Sequence, residues 1–290
     1  MWESPRRPAV LLLAGLLTLA APVVLPATAA RADGLGQPFV GDLMDGPAPD
    51  TVLLESAQSA GGCRLRIRHD GGDLVTVHTY LALPSGQPCP DLGTAANLDG
   101  TGRDELVLTW FAGPPPGALD NLLVLAGLRP VRWGHGLDQP SYIDSGHFNA
   151  DGYEDVYEWT DQGDGFVTYL SNGRYALAPG PERWCANPRQ VRLRSFQRDP
   201  ALDALISYTE RCDDYSSGVV VILDDGRSQV LQNDPAGERI WWTSVVYYDA
   251  DRYPDVRTVD TSTGAVTYFV NTGSGTFVRV SGAVPAGRRR

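Results

Sequence analysis

The chain has 290 residues and a formal net charge of −11, with 24 arginines and no lysine. This acidic balance disfavours binding to the phosphate backbone of a nucleic acid. Residues 1–32 combine a charged start, an apolar middle and small residues around Ala30, as in a Sec-type secretory signal peptide cleaved after Ala32. Prolines interrupt the apolar run. We therefore expect a secreted mature chain without a membrane span.

An acidic loop pattern recurs along this mature chain, and residues 147–155 (H-F-N-A-D-G-Y-E-D) show it best. Oxygen-bearing side chains occupy the third, fifth and ninth positions (Asn149, Asp151 and Asp155), with Gly152 at the sixth. Ca²⁺ takes six to eight oxygen ligands, and glycine permits the tight curl that brings them together. Similar stretches begin at 97 and 247, and eroded ones at 42 and 195. Their acidic ninth residues lie 48 to 55 residues apart, at Asp50, Glu105, Asp155, Asp203 and Asp255.

A glycine turn between β-rich runs follows each of these acidic residues, as in L-S-N-G-R-Y (170–175) and L-D-D-G-R-S (223–228). Asn-Gly and Asp-Gly between alternating apolar residues are strong hairpin signals. Each unit of about 50 residues therefore predicts four antiparallel strands. Five such units predict a single all-β domain over 33–290, a β-propeller of five four-stranded blades with 93–98 and its equivalents innermost.

The D-x-N-x-D-G-x-x-D loop followed by V-x-V-x-x-N-x-G-x-G-x-F resembles the FG-GAP/VCBS repeats of integrin α-subunit propellers and of secreted bacterial proteins. Residues 147–156, 247–256 and 266–277 carry the likeness best. The resemblance implies a β-propeller with Ca²⁺ in some loops. It indicates the fold more strongly than the activity, because propellers include lectins, adhesins and enzymes.

Weak Ca²⁺ binding is expected in three of the five loops. The candidate ligands are Asn149, Asp151 and Asp155 in the third loop, Asn97, Asp99, Thr101 and Glu105 in the second, and Asp249, Asp251 and Asp255 in the fifth. His147 stands where the family pattern has Asp, which removes one hard ligand. The first and fourth loops are expected to be empty. The alternative for all of them is a metal-free turn held by bonds from Asp to the backbone.

Four cysteines in an exported chain indicate two disulfides. Three pairings are possible. Joining Cys63 to Cys89 and Cys185 to Cys212 closes two local loops of similar length, so we favour this pairing.

Aromatic residues at the predicted blade connectors are candidates for ligand binding: Trp133, His135, Trp184, Tyr215, Trp241 and Trp242. Flat rings with polar edges suit a sugar or a peptide. The alternative is that these tryptophans wedge between blades as core.

Catalysis has less support in the sequence. The four histidines lack a metal-ligand spacing, and the inner strands offer only Asp42, Asp91 and Asp144 as carboxylates for glycoside hydrolysis. The sequence therefore predicts a non-catalytic propeller that binds an extracellular glycan or protein. The alternatives are a five-bladed glycoside hydrolase and a degenerate structural propeller without a specific ligand.

Overall fold

The structure is a computed structural model that describes residues 38–44, 48–57, 62–69, 74–81, 89–110, 122–134, 137, 140–160, 165–249 and 251–280, with the backbone alone at 56–57, 62, 74–81 and 133–134. These residues form only strands and their connections, and none of them lies in a helix that could cross a bilayer. All belong to one compact unit, Asp33–Arg290.

Twenty strands form five antiparallel sheets, and each sheet takes four consecutive strands in chain order. Sheet 1 contains β1 (Pro38–Gly41), β2 (Asp50–Ala57), β3 (Gly62–Arg68) and β4 (Leu74–Leu81). Sheet 2 contains β5 (Leu92–Ala96), β6 (Glu105–Thr109), β7 (Leu122–Ala126) and β8 (Arg129–Gly134). Sheet 3 contains β9 (Tyr142–Gly146), β10 (Asp155–Trp159), β11 (Phe166–Ser171) and β12 (Leu177–Trp184). Sheet 4 contains β13 (Asn187–Arg194), β14 (Asp203–Thr209), β15 (Ser217–Ile222) and β16 (Ser228–Asp234). Sheet 5 contains β17 (Trp241–Val246), β18 (Asp255–Asp260), β19 (Val266–Asn271) and β20 (Phe277–Val280).

The repeat spacing is confirmed at the level of these sheets. The acidic ninth residue of every loop is the first residue of the second strand of its sheet, from Asp50 in β2 to Asp255 in β18. Gly152 has φ 89°, a left-handed conformation that glycine adopts without steric cost, as the loop pattern predicts. The segment 93–98 contributes β5, the first strand of sheet 2.

Consecutive sheets pack face to face through apolar side chains. Leu106 and Leu108 of β6 join a core cluster with Leu54 and Leu65 of sheet 1, whereas Val107 between them joins a cluster with Val156 of sheet 3. Successive side chains of a strand point to opposite faces, so one short strand supports two interfaces. Two more clusters join sheet 3 to sheet 4 and sheet 4 to sheet 5.

The first strands of neighbouring sheets lie next to each other. β5 contacts both β1 and β9, and β13 contacts β17. Gly41 in β1 leaves no room for a side chain, since an added Cβ would lie 2.2 Å from the Cβ of Ala95 in β5. This close approach sets β1 directly against β5, which also contacts β9.

Backbone hydrogen bonds also join the acidic loops of consecutive sheets. The amide of the eighth loop residue donates to the carbonyl of the first loop residue one sheet earlier, from Asp104 to Asp42 at 2.8 Å and from Glu154 to Asn97 at 3.0 Å. Leu202 repeats this bond to His147 at 2.6 Å. The fifth loop has Pro254 at its eighth position and lacks the donor. The bond therefore recurs wherever the eighth residue of loops two to five carries an N–H.

Both disulfides follow the local pairing. Cys63 bonds to Cys89 and Cys185 bonds to Cys212, with Cα–Cα distances of 5.3 and 5.5 Å. The second bridge fixes the short connection after β12 to the loop after β14, where the Cys212 amide also donates to the Cys185 carbonyl at 3.1 Å. Two such bridges fit a protein of an oxidising compartment.

Candidate functional site

A cavity of about 340 Å³ opens where β1, β5 and β9 meet. Its polar lining consists of Asp91, Thr94, Tyr142, Asp144 and Ser145, and its apolar lining includes Phe39, Val40, Leu54, Leu92 and Ile143. Ligand sites are typically concave and mostly apolar, with a few converging polar groups, and their volumes begin at about 300 Å³. This cavity lies at the small end of that range, and its lining is about equally polar and apolar.

Asp144 is the polar centre of the cavity, and hydroxyl groups surround its carboxylate. Oδ1 accepts hydrogen bonds from the Ser145 amide at 2.9 Å and from the Thr94 hydroxyl at 3.3 Å. Oδ2 accepts from the Tyr142 hydroxyl at 3.0 Å and from the Tyr157 hydroxyl at 3.5 Å. Donors from two sheets therefore hold the carboxylate in one orientation toward the cavity.

Three aromatic rings frame the same carboxylate. Tyr142 stacks on Trp159, its cross-strand partner, with ring centroids 4.0 Å apart and planes 9° from parallel. Tyr157 lies beside both rings. Burial and the charge of Asp144 raise the pKa of Tyr142 to about 12, and they also raise the pKa of Tyr157. Both phenols are thus hydrogen-bond donors at neutral pH, which suits the carboxylate between them.

The three carboxylates that the sequence places on inner strands, Asp42, Asp91 and Asp144, lie in two different parts of the structure. Asp91 and Asp144 both line the cavity. Asp42 lies in the first acidic loop, where its amide donates to Asp104 Oδ2 at 2.7 Å. Two of the three residues considered for glycoside hydrolysis are thus brought to one site.

The aromatic ligand candidates do not form one group. Trp184 is partly buried against Tyr208, and the Arg211 guanidinium lies 5.0 Å from its ring centroid. Trp241 is 5% exposed in the core between sheets 4 and 5, whereas Trp242 is 61% and Tyr215 75% exposed. Trp133 lies in β8 with its side chain outside the described structure, and His135 is outside the described residues. For Trp241 the core alternative is correct.

The sequence analysis did not select Tyr142 or Trp159, although the position of Tyr142 within its repeat could have indicated it. Tyr142 lies 13 residues before Asp155, and Trp242 lies 13 residues before Asp255. Both occupy the same place on the first strand of their sheets. Aligning the five units on their acidic residues would have selected Tyr142 together with Trp242.

The acidic ninth residues of the third, fourth and fifth loops each fasten their loop to the hairpin of the same sheet. Asp155 is fully buried, and its Oδ2 accepts from the Phe148 amide at 2.9 Å while Oδ1 accepts from the Ser171 amide at 2.8 Å. Burial raises the pKa of Asp155 to about 6, and these two amides oppose the rise. The other two acidic residues are held in the same way. Asp203 accepts from the amides of Phe196 and Asp224. Asp255 accepts from the amides of Tyr248 and Asn271.

The ninth residues of the first and second loops, Asp50 and Glu105, are held in related ways. Asp50 accepts from the amides of Leu43 and Met44 and from His69, and Glu105 accepts from the amide of Leu98. Both carboxylates are buried. A buried amide without an acceptor costs about 1–3 kcal/mol, so these contacts give the repeated acidic residue a structural role in every unit.

The remaining oxygen groups of the third loop bond to the loop itself. His147 Nδ1 donates to the Tyr153 carbonyl at 2.9 Å, and Asp151 Oδ1 accepts from the Tyr153 amide at 2.9 Å. Asn149 donates to the second oxygen of Asp151 at 3.0 Å. These bonds close the loop as a turn.

The second and fifth loops are closed in the same manner. Asp99 accepts from the Thr101 amide, and Asn97 accepts from the Gly102 amide. In the fifth loop, Asp249 accepts from the Asp251 amide. No group of three or more acidic, histidine or cysteine side chains among the described residues is arranged to hold a metal. Calcium binding at these loops stays a prediction.

One buried carboxyl is outside both the cavity and the loops. Glu182 of β12 is fully buried, and neither of its carboxyl oxygens has a hydrogen-bond partner among the described residues. Burial, followed by the charges of Asp203 and Asp224, raises its pKa to about 9. Glu182 is therefore a neutral acid at pH 7, at the interface between sheets 3 and 4.

Comparisons with protein-family models and with curated proteins give no match for this chain. The FG-GAP/VCBS resemblance stays a prediction.

Proposed function

We propose that the chain is a secreted, five-bladed β-propeller that binds an extracellular carbohydrate without transforming it. The observation that carries this proposal is the cavity at β1, β5 and β9, where a stacked Tyr142–Trp159 pair adjoins a carboxylate held by hydroxyl donors. The two disulfides support the extracellular assignment.

A carbohydrate suits the mixture of groups in this cavity. Sugar rings present apolar C–H faces, which pack on aromatic rings, and hydroxyl groups, which bond to fixed carboxylates and hydroxyls. Tyr142 is 37% exposed, so part of its ring is available for such contact. Asp144 is held by donors from sheets 2 and 3, so little ordering is required when a ligand binds.

The exposed apolar side chains of sheets 5 and 1 favour a closed ring of the five sheets. One face of sheet 5 packs on sheet 4. Its other face carries Trp242, Val266 and Val278, which are 61%, 45% and 54% exposed, and sheet 1 carries Val40, which is 64% exposed. Ring closure would place the apolar face of sheet 5 against sheet 1 and cover these side chains.

Closure of the ring is tested by placing a charged side chain on the exposed apolar face of sheet 5. We expect Val266→Glu to lower the free energy of unfolding by at least 2 kcal/mol, on the order of the cost of a buried unpaired charge. Val230→Glu, on the outermost strand of sheet 4 where Val230 is 41% exposed, is the matched control and should change little. Equal, small effects of the two substitutions would argue for an open arrangement.

Carbohydrate binding is tested on a glycan array with the mature protein, in the presence and absence of Ca²⁺. Binding should be selective for a small set of glycans and should be lost in Tyr142→Ala. Tyr215→Ala removes an aromatic side chain that is 75% exposed and outside the cavity, so this control should bind like wild type. Loss of binding in Tyr215→Ala and not in Tyr142→Ala would move the site away from the cavity.

Glycoside hydrolysis is the second candidate, and the shared placement of Asp91 and Asp144 favours it. Hydrolases of this kind use two carboxyl groups, about 5–10 Å apart, on either side of the scissile bond. Reducing-sugar release from the glycans bound on the array separates the two functions. Release that disappears in Asp144→Asn would establish the hydrolase, whereas binding without release supports the binding protein.

A further inference from the structure

The first strand of sheet 4 differs in charge from the first strands of the other four sheets. β13 carries three arginines, Arg189, Arg192 and Arg194, whereas β1, β5, β9 and β17 carry no basic residue. Each of these strands begins the same four-stranded unit. The repeated architecture therefore does not require arginine at this place, and the arginines of β13 are a local feature of sheet 4.

The side chains of β13 alternate between two faces of the strand. Val191 and Leu193 pack on the apolar cluster between sheets 3 and 4. Arg192 and Arg194 therefore point to the opposite face, toward sheet 5, and their Cα atoms are about 7 Å apart along the strand. Both side chains are exposed. One ligand can therefore reach both of them.

Hydrogen bonds from sheet 5 hold both guanidinium groups in place. Arg192 Nε donates to the Thr243 carbonyl at 3.0 Å, and Arg194 Nη2 donates to the Tyr247 hydroxyl at 2.8 Å. A guanidinium has five N–H donors. These bonds use one donor of each arginine, so the other N–H groups stay available to a ligand.

Neither arginine has a carboxylate partner among the described residues, although acidic residues outnumber arginines 35 to 24 in the chain. Other arginines do have such a partner, as Arg64 has in Glu55. Two like charges so close on one strand repel each other, and an anion between them removes that repulsion.

We propose that Arg192 and Arg194 form a second binding site, which takes a ligand with an oxyanion group such as a carboxylate or a sulfate. The planar fork of arginine matches both groups through paired, charge-assisted hydrogen bonds. The bonds to Thr243 and Tyr247 orient the guanidinium groups in advance, so little ordering is required when the anion binds.

This site goes beyond the proposed carbohydrate binding. It lies between β13 and sheet 5, whereas the cavity is lined from sheets 1, 2 and 3. A free inorganic anion and the acidic group of a larger extracellular ligand share the same chemistry, and the test separates these two sources.

The first experiment compares two ligands that differ in charge alone. Calorimetric titration at pH 7 uses trigalacturonate and its methyl ester, which keeps the sugar skeleton and lacks the carboxylates. We expect the acid to bind at least about 10-fold more tightly. Its affinity should fall as salt is raised, because the pair is exposed and its charges are screened. Inorganic sulfate is titrated separately, against chloride of equal ionic strength.

The second experiment repeats the titrations on variants. Arg192→Gln and Arg194→Gln should each weaken the binding of trigalacturonate about 5-fold or more. Arg279→Gln is the matched control, since it removes the same charge from an exposed position on β20 of sheet 5, and it should bind like wild type. If a glutamine variant does not fold, Arg192→Lys keeps the charge, loses the planar fork, and should also weaken binding.

Urea unfolding of the same variants measures the other role open to these arginines, which is to tie β13 to sheet 5. Lower stability of Arg192→Gln with unchanged binding of the acid would assign them that role and overturn the proposal.

The remaining outcomes also decide the question. Binding of trigalacturonate that depends on both arginines supports the site, with an acidic group of a larger ligand as its occupant. Binding of sulfate alone, with the same dependence, supports the site with a free anion as its occupant. Equal binding of acid and ester, or binding of neither anion, overturns the proposal. Loss of acid binding in Tyr142→Ala, with Arg192→Gln unaffected, would move the anion to the cavity and overturn it too.

Discussion

Replacing Glu182 by Gln is expected to stabilise the protein at neutral pH. The side chain lies on β12, an edge strand of sheet 3, and Asp203 and Asp224 of sheet 4 are its charged neighbours. It is fully buried, and the neighbouring Thr168 hydroxyl, which donates to the Glu182 backbone carbonyl at 3.4 Å, offsets only part of the rise in its pKa. Glutamine has nearly the same shape as the protonated acid and cannot ionise. The substitution therefore keeps the packing and removes the titration.

The magnitude follows from the pKa of Glu182 in the folded protein, which is raised from 4.5 to about 9. Between these values the folded protein retains a proton that the unfolded chain releases. Protonated Glu182 makes its full contribution to the free energy of unfolding below about pH 4.5. This contribution is lost as the pH rises toward 9. The loss is about 1.4 kcal/mol for each pH unit, or about 3 kcal/mol at pH 7. Glu182→Gln should be more stable than wild type by about this amount at pH 7 and equal to it near pH 4.5.

The assay is urea unfolding of both proteins at pH 5, 6, 7 and 8, followed by tryptophan fluorescence. Other buried acids, such as Asp155 and Glu105, titrate in both proteins, so their effects cancel in the difference. Glu238→Gln changes an exposed glutamate and serves as the control. A difference below about 0.5 kcal/mol, or one that does not grow with pH, would show that Glu182 is hydrated in the folded state and would contradict the prediction.

Three further changes test the loops and the bridges. Asp155→Ala should lower the free energy of unfolding by about 2–5 kcal/mol in urea titrations, because two buried amides lose their acceptor, whereas exposed Asp213→Ala should change it little. Replacing Cys185 and Cys212 together by Ser should cost about 3 kcal/mol by the loop-entropy relation, and an unchanged urea midpoint would contradict this. Calorimetric titration with millimolar Ca²⁺ should give heat that Asp151→Ala abolishes; if wild type and variant behave alike, the third loop is a metal-free turn.

The arrangement of the strands could be predicted from the sequence because its determinants are local. An acidic residue that accepts amides from its own loop and hairpin fixes where the second strand begins. The same residue type recurs about every 50 residues, so the spacing shows the five sheets directly. The disulfides were predictable for a similar reason, since each closes a short loop within neighbouring sheets.

The cavity could not be predicted in the same way, because it depends on contacts between sheets. Asp144 was considered as an inner-strand carboxylate, but its hydroxyl donors include Thr94, which is 50 residues away. The tryptophans were chosen for their residue type, and burial then separated Trp241 from Trp242. Glu182 alternates with exposed neighbours along β12, and only the packing of sheet 4 makes its position a buried one.

The most direct test of the account is a crystal structure of the mature protein with a glycan selected on the array. We expect electron density for a sugar between β1, β5 and β9, with its ring against Tyr142 and a polar group within hydrogen-bond distance of Asp144. Density for the glycan at another place, with the cavity occupied by water alone, would contradict it.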